Sequence, residues 1–377
     1  MASPHRVLIL GGYGFFGHRI ATLLARIPGF ELILAGRNLD KATAMAYQLG
    51  LHANNARVVD TTDAKLGALI KKLGVHTVVH TAGPFQGQQY HVARAAIEAR
   101  AHYLDLADGR AFVAGIGTLD AAARAAGVCV IAGASSVPAL SSAVLDHYSQ
   151  YFAKLEQVAI GISSGAALPG EATVRGVFGY AGKPFRVWEN GAWAQAHGWL
   201  DRRSFNFPKP VGPRLLGRCD VPDLELLPQR FPTLKTVSFH GGFASDTCHR
   251  MVEWLATQVR KGRFKSATPF AGPVYRLARW LEPLLPDRGG MFVRMAGPDD
   301  DGRARTLTWQ VLATENHGPY IPCAPIVALL QKITRGELPD PGARPCMGML
   351  SVDDILSVLK GFSVREIAPP VPLLSQD

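Results

Sequence analysis

Through the first third of the chain, short apolar runs alternate with stretches in which apolar positions return every three or four residues. Arg6 to Leu10, RVLIL, is a strand core that passes straight into Gly11, Gly12, Tyr13, Gly14, Phe15, Phe16 and Gly17. Phe16, Ile20, Leu23, Leu24 and Ile27 then recur at helical spacing, and Pro28 with Gly29 stops that helix before a strand at Glu31 to Ala35. The alternation continues with a helix from Leu39 to Leu49, a strand at Arg57 to Asp60, a helix through Leu66 to Leu73 and a strand at His76 to His80. Further units follow at Val92 to Ala99, His102 to Leu106, Phe112 to Ala126 and Val128 to Ile131. Strands alternating with helices in this way predict an α/β fold with a doubly wound parallel sheet. A Ser- and Pro-bearing turn, Gly133 to Ser142, closes the pattern.

The rest of the chain is patterned differently. Glu171, Thr173 and Arg175 follow a glycine-rich turn and read as alternating strand residues, with Arg175 the better anchor for a substrate carboxylate. Arg186 to Pro232 is rich in Trp, Arg, Pro and Gly and predicts extended loops and short strands lining a cleft or a subunit contact. Thr306 to Thr314 alternates like a strand, and Pro325 to Thr334 reads as a helix with Gly336 and Pro339 as stop signals. Ser351 with Asp354 makes a capping box for a last helix through Ile355, Leu356, Val358 and Leu359, before a tail carrying Pro369, Pro370 and Pro372.

Composition narrows the class. With 47% hydrophobic and 19% charged residues over 377 positions, the chain can bury a full core, and at roughly 150 residues per domain it divides into two or three. The scatter of Cys129, Cys219, Cys248, Cys323 and Cys346 argues against a disulfide framework or a zinc site. The short lead before the first strand predicts no export signal, and no apolar run approaches the roughly 18 residues of a bilayer span, so a cytoplasmic location is expected. A net charge of +10 raises the question of anionic partners. Two basic groups stand out, Arg202, Arg203, Lys209, Arg214 and Arg218, then Arg260, Lys261, Arg263 and Lys265. Neither matches a nucleic-acid motif, and no nucleic-acid partner is expected. Met251 to Arg260 and Pro273 to Leu285 carry apolar faces beside basic residues, which fits core or dimer helices or a peripheral membrane contact.

The chemistry begins at the first turn. Gly12, Gly14 and Gly17 have the GxGxxG spacing between a strand and a helix, the setting that gives it a mechanism. Gly12 would permit the tight turn, Gly14 the approach of a pyrophosphate, and Gly17 the close packing of helix on strand, while the helix N-terminus receives phosphates. Gly11 to Gly17 are therefore dinucleotide contacts. The second strand ends in Gly36, Arg37 and Asn38, where NAD-specific sites place a carboxylate for the ribose 2′-OH. A guanidinium binds a 2′-phosphate and stacks beside adenine, so NADP(H) is expected, with Arg37 and Asn38 as contacts and a solvated loop arginine as the plain alternative. Asp60, ending the third strand, and Thr81, Ala82, Gly83, Pro84 and Phe85, following the fourth, complete the cofactor set.

Three segments resemble the saccharopine dehydrogenase-like family of NADP-binding oxidoreductases: GGYGFFG followed by AGRN, then HTAGPFQGQQYHVARAAIEARAHYLDLADGR, then GASSVPALSSAVLD. The likeness is strongest over residues 6 to 146, and Gly83, Pro84, Phe85, Gly87, Tyr103 and Asp105 match the family's pattern. Its closing Gly-Glu is replaced by Asp108, Gly109 and Arg110. The resemblance implies a Rossmann domain over 1–137, a mixed α/β substrate and dimerisation domain over 138–335, and a C-terminal segment over 336–377 returning to the first.

Hydride addition to C=N, C=O or C=C leaves charge that a donor must meet. Tyr103, Asp105 and Asp108 are the first candidates, with Tyr90 and His91 behind them. No tyrosine has a lysine four positions on, which excludes the short-chain dehydrogenase pattern. His240, Asp246, Cys248 and His249 form a polar set, but adjacent Cys248 and His249 are poorly placed to share a tetrahedral metal site, and no metal is expected. The leading expectation is an NADPH-dependent reductase of a small metabolite, acting as a homodimer. A non-catalytic NADP(H) sensor and a trans-acting enoyl reductase on an acyl substrate are the alternatives.

Overall fold

Strand β1 (His5–Leu10) runs through the centre of the first sheet with Val7 to Leu10 fully buried, so its C-terminal end is where the chain must turn and emerge. The structure is a computed structural model that describes residues 3–166, 171–281, 285–337 and 340–371. Pro339 and Pro372, read above as a stop signal and part of a tail, lie outside the described residues. The chain forms two units, one of residues 1–140 and 319–360, the other of residues 141–318 and 361–377.

In the first unit β1 is followed by α1 (Gly17–Leu24), β2 (Phe30–Gly36), α2 (Leu39–Gln48), β3 (Ala56–Val58), α3 (Leu66–Lys72) and β4 (Thr77–His80). Then come α4 (His91–Glu98), β5 (His102–Asp105), α5 (Arg110–Gly115), α6 (Asp120–Ala126) and β6 (Cys129–Ala132). Seven strands pair in the order β15-β6-β5-β4-β1-β2-β3, all parallel, β15 (Gly342–Pro345) having been added beside β6 by the returning chain. The order reverses at β1 and β4: the chain leaves β1 toward β2 and β3, then crosses back to β4 on the other side. In such a sheet ligands bind in the crevice at that reversal, outside the C-terminal strand ends.

The second unit contains α7 (Ser141–Tyr148), β7 (Gln157–Ser163), α8 (Glu171–Tyr180), β8 (Pro184–Glu189), β9 (Ala192–His197), β10 (Arg203–Asn206), β11 (Pro213–Arg218), α9 (Asp223–Arg230) and β12 (Thr236–Gly242). It continues through α10 (Asp246–Arg260), α11 (Ala271–Leu281), β13 (Gly289–Pro298), β14 (Ala304–Ala313) and, after the excursion to the first unit, β16 (Val364–Ile367). The sheet is mixed, in the order β10-β11-β12-β7-β13-β14-β16, with β8 pairing to β12 and β9. Phe205 stacks on Phe292 at 3.7 Å, and a Cβ on Gly161 would lie 2.2 Å from the Phe292 ring, so the glycine makes room for the aromatic core.

Two expectations change. The return to the first unit begins at Pro319, ahead of residue 336, and the chain rejoins the second unit from Gly361. The cause is α12 (Ala324–Thr334), whose residues Ala324 to Leu330 are all buried; a helix apolar on every side needs cover on every side, and α12 packs on α1 and on α13 (Val352–Ser357). Glu171, Thr173 and Arg175 stand on a helix, not a strand. Val174 and Phe178 fall on one stripe of α8, which packs against α11.

The capping box at Ser351 and Asp354 is present. The Ser351 hydroxyl accepts the Asp354 N–H at 3.0 Å, and the Asp354 carboxylate accepts the Ser351 N–H at 2.9 Å.

Candidate functional site

The turn after β1 is built by close approach. The N–H groups of Gly11 and Gly12 both donate to Ala35 O of β2, at 2.8 and 3.1 Å, and the Gly14 N–H donates back to Gly11 O at 2.8 Å. A Cβ on Gly17 would lie 2.1 Å from that same Gly11 oxygen, so only glycine lets α1 start here. Gly12 packs on Leu34, where a Cβ would come within 3.2 Å. The left-handed residue is Gly11, with φ +83°, and the tight turn assigned to Gly12 belongs there. Beyond Gly11 O, a Cβ on Gly14 would meet no other residue closely, which leaves its face open. In the first turn of α1 the His18 N–H already donates to Gly14 O, at 3.1 Å, and the helix end adds the partial positive charge of its dipole. The cradle fits a pyrophosphate.

Arg37 and Asn38, exposed after β2, are tied to the turn by Tyr13. The Tyr13 hydroxyl accepts the Asn38 N–H at 3.0 Å, and its ring lies so close to Gly36 that a Cβ there would come within 2.5 Å of it. The Asn38 side chain accepts the Lys41 N–H at 2.9 Å and so caps α2. Asp60 is exposed after β3. Hydrogen bonds from the Thr62 N–H and hydroxyl, at 2.9 and 2.8 Å, hold its carboxyl below the usual range, and the nearby Arg37 guanidinium acts in the same direction. A carboxylate in this position can accept from an amino group, and a guanidinium can pair with a phosphate.

The C-terminal ends of β4, β5 and β6 form a connected floor. The Thr81 hydroxyl donates to Leu10 O at 2.8 Å, joining β4 to the glycine turn. Ala82 is half-buried, Gly83 and Pro84 are exposed and joined by a cis peptide, and Phe85 is buried between His80 and Phe112. The Gln88 amide donates to Ala82 O and Pro84 O, at 3.1 and 2.7 Å, pinning the segment.

Tyr103 and Asp105 are fully buried, so their place is beneath the floor and not at its surface. Asp105 Oδ1 accepts the N–H groups of Ala107 and Gly133, at 2.9 and 2.8 Å, which fixes the loop after β5 against the one after β6. The Tyr103 hydroxyl faces the same carboxylate and lies 3.1 Å from His80 Nδ1. Burial pushes the Asp105 carboxyl up to about 6, against those hydrogen bonds, and lowers His80 to about 4.

Asp108 is exposed. It accepts a hydrogen bond from the Gln86 amide at 3.1 Å, and Gly109 beside it packs on the Phe85 backbone. The protein mass around its carboxyl raises it above the usual range, opposed by hydrogen bonds from its own N–H and from Gln86. Tyr90 donates to Phe112 O at 2.8 Å, and His91 Nε2 lies 3.0 Å from Asp63 O, so both serve loop contacts.

Sequence reasoning missed how the returning chain covers α1. Phe15 and Phe16 meet edge to face at 4.9 Å, the Arg19 guanidinium lies over Phe15 at 4.1 Å and over Tyr320 at 5.5 Å, and Cys323 Sγ donates to Phe16 O. Arg19 also donates to Phe15 O. The sequence signal was the aromatic and cysteine content of HGPYIPCAP, which carries no spacing rule. Arg175, exposed on α8, belongs to the second unit.

Residues 7–131 match the family described as the saccharopine dehydrogenase NADP binding domain, a match that lies within the first unit. No curated protein matches the sequence. Among solved structures, the chain is similar to an apo saccharopine dehydrogenase (L-Glu forming) of Saccharomyces cerevisiae at 15% identity and a TM-score of 0.65, with 97% of this chain and 100% of that one covered. It is also similar to an amine dehydrogenase of Mycobacterium smegmatis at 11% identity and a TM-score of 0.48, covering 94% and 96% of the two chains. At these identities the first likeness speaks for the fold, and the second carries no further argument.

Proposed function

We propose that this protein, whose N-terminal unit belongs to the saccharopine dehydrogenase NADP-binding family, is an NADPH-dependent reductase of a C=N, C=O or C=C bond in a small metabolite. When bound, NADPH supplies the hydride. The chain's own residues bind, orient and protonate. Gly11 to Gly17 and the start of α1 receive the pyrophosphate, and Arg37 pairs with the 2′-phosphate. Thr81 to Phe85 form the floor, held by Thr81 on Leu10 O and by the Gln88 amide, with Asp105 and Tyr103 buried on the neighbouring strand.

The observation that carries the reading is Asp108. It is exposed, accepts a hydrogen bond from the Gln86 amide, and precedes Gly109, which packs on the Phe85 backbone at the end of the floor. A carboxyl in that place can serve as the proton donor to the nitrogen, oxygen or carbon left electron-rich by hydride addition.

The test is NADPH oxidation against imines, keto acids and enoyl thioesters. One class should be turned over, and Asp108→Asn should lower kcat by roughly 100-fold or more while leaving NADPH affinity unchanged. Tight NADPH binding with no turnover on any class would replace the reductase by a sensor.

A further inference from the structure

In the second unit, α11 presents large apolar side chains to solvent. Leu277 is 52% and Trp280 76% exposed, and Pro273, Leu277 and Trp280 recur at helical spacing along one exposed stripe while Ala271 is buried. The neighbouring α10 adds Trp254, 57% exposed, whose ring meets Phe264 edge-on at 6.4 Å; Phe264 in turn lies 5.3 Å from Phe270, immediately before α11. These aromatics connect the exposed side of α10 to the start of α11.

The charge around them is mainly positive, with Glu253 beside Trp254 and Glu282 next in sequence after Leu281 as the acidic exceptions. From Arg260 to Leu281 there is no Asp or Glu, while Arg260, Lys261, Arg263, Lys265, Arg276 and Arg279 are all exposed. Glu253, on the preceding turns of α10, is paired with Arg202 at 2.9 Å.

We infer that this face docks on an anionic phospholipid bilayer, Leu277 and Trp280 entering the headgroup boundary and the six cations lying over the lipid phosphates. Aromatic and aliphatic side chains beside Lys and Arg are what such a boundary selects, since an amphipathic ring is satisfied with one side apolar and the other wet. Charge argues against a second copy as the occupant. A two-fold contact would set the same six cations against themselves, whereas anionic lipid neutralises them.

The full chain is to be sedimented with vesicles of phosphatidylcholine alone and with vesicles containing phosphatidylglycerol, with tryptophan emission recorded. Binding and a blue shift are expected only with the anionic vesicles, and weaken with salt. Replacing Leu277→Ser with Trp280→Ser should lower partitioning by about tenfold or more, and Arg263→Gln with Lys265→Gln should lower it further at low salt. Unchanged NADPH affinity shows that the variants fold. No binding to anionic vesicles at low ionic strength, or equal binding by wild type and both variants, overturns the inference. So does a wild-type dimer that the Leu277 and Trp280 replacements dissolve, which would make the face a contact between copies.

Discussion

The Tyr13 hydroxyl accepts the backbone N–H of Asn38 at 3.0 Å, which makes the pyrophosphate turn and the loop carrying Arg37 one hydrogen-bonded piece. The two ends of a dinucleotide's adenosine half would therefore be received by elements already set relative to each other. Removing the hydroxyl while keeping the ring over Gly36 should loosen only that relation. Tyr13→Phe is expected to raise the Kd for NADPH about fivefold, the order of one lost neutral hydrogen bond, with little change in the urea midpoint. A fluorescence titration checks it, and an unchanged Kd would show that the Arg37 loop holds its position without Tyr13.

Gly17 offers a steric test of the cradle. Its missing Cβ is 2.1 Å from backbone Gly11 O, which cannot yield without moving the turn after β1, and 2.9 Å from Thr81 Oγ1, which is bonded to Leu10 O. Gly17→Ala should cost about 1–3 kcal/mol of stability, as overpacking does, and abolish measurable NADPH binding. Urea unfolding and titration together check this. Wild-type values in both would mean that α1 can shift freely.

His80 and Asp105 make opposite pH predictions. Asp105 goes from an ordinary 3.8 to about 6 on folding, so the native state binds the extra proton between those values and its contribution to stability is lost as pH rises through 6. His80 goes from 6.5 to about 4, so the unfolded state binds the extra proton and stability is lost as pH falls from 6.5 toward 4. In wild type the two slopes largely offset. Asp105→Asn should make stability climb more steeply from pH 4 to 6.5 than in wild type, and His80→Phe should make it climb less or fall. Parallel midpoint curves for all three proteins would contradict the assignment.

The strands and helices of the N-terminal sheet up to β6 were legible because the strands are short apolar runs and the helices carry apolar stripes, whereas β15, with the sequence GARP, has no such run and takes its place by pairing with β6. The GxGxxG spacing located the crevice. It could not say which glycine is left-handed, since that depends on Ala35 O accepting two N–H groups from the turn. Glu171–Tyr180 was misread because Thr173, Val174, Gly176 and Val177 are poor helix formers, and packing on α11 outweighs their propensity. Tyr103 and Asp105 looked like surface donors because the polar letters of YLDLAD do not reveal which strand face is covered. The depth of that face is set by Gly133 and Ala134, which lie across the sheet on β6's exit and about thirty residues downstream in sequence. The cover over Phe15 and Phe16 comes from Tyr320 and Cys323, a separation no local pattern carries.

The central claim is that Arg37 reads the 2′-phosphate, and calorimetric titration of NADPH and NADH against wild type and Arg37→Ala tests it most directly. NADPH should bind wild type about 10–100-fold more tightly than NADH, as a charge-assisted pair implies, and the substitution should erase that difference while leaving NADH affinity nearly unchanged. Equal affinities for the two nucleotides in wild type, or a preference that survives in Arg37→Ala, would contradict it.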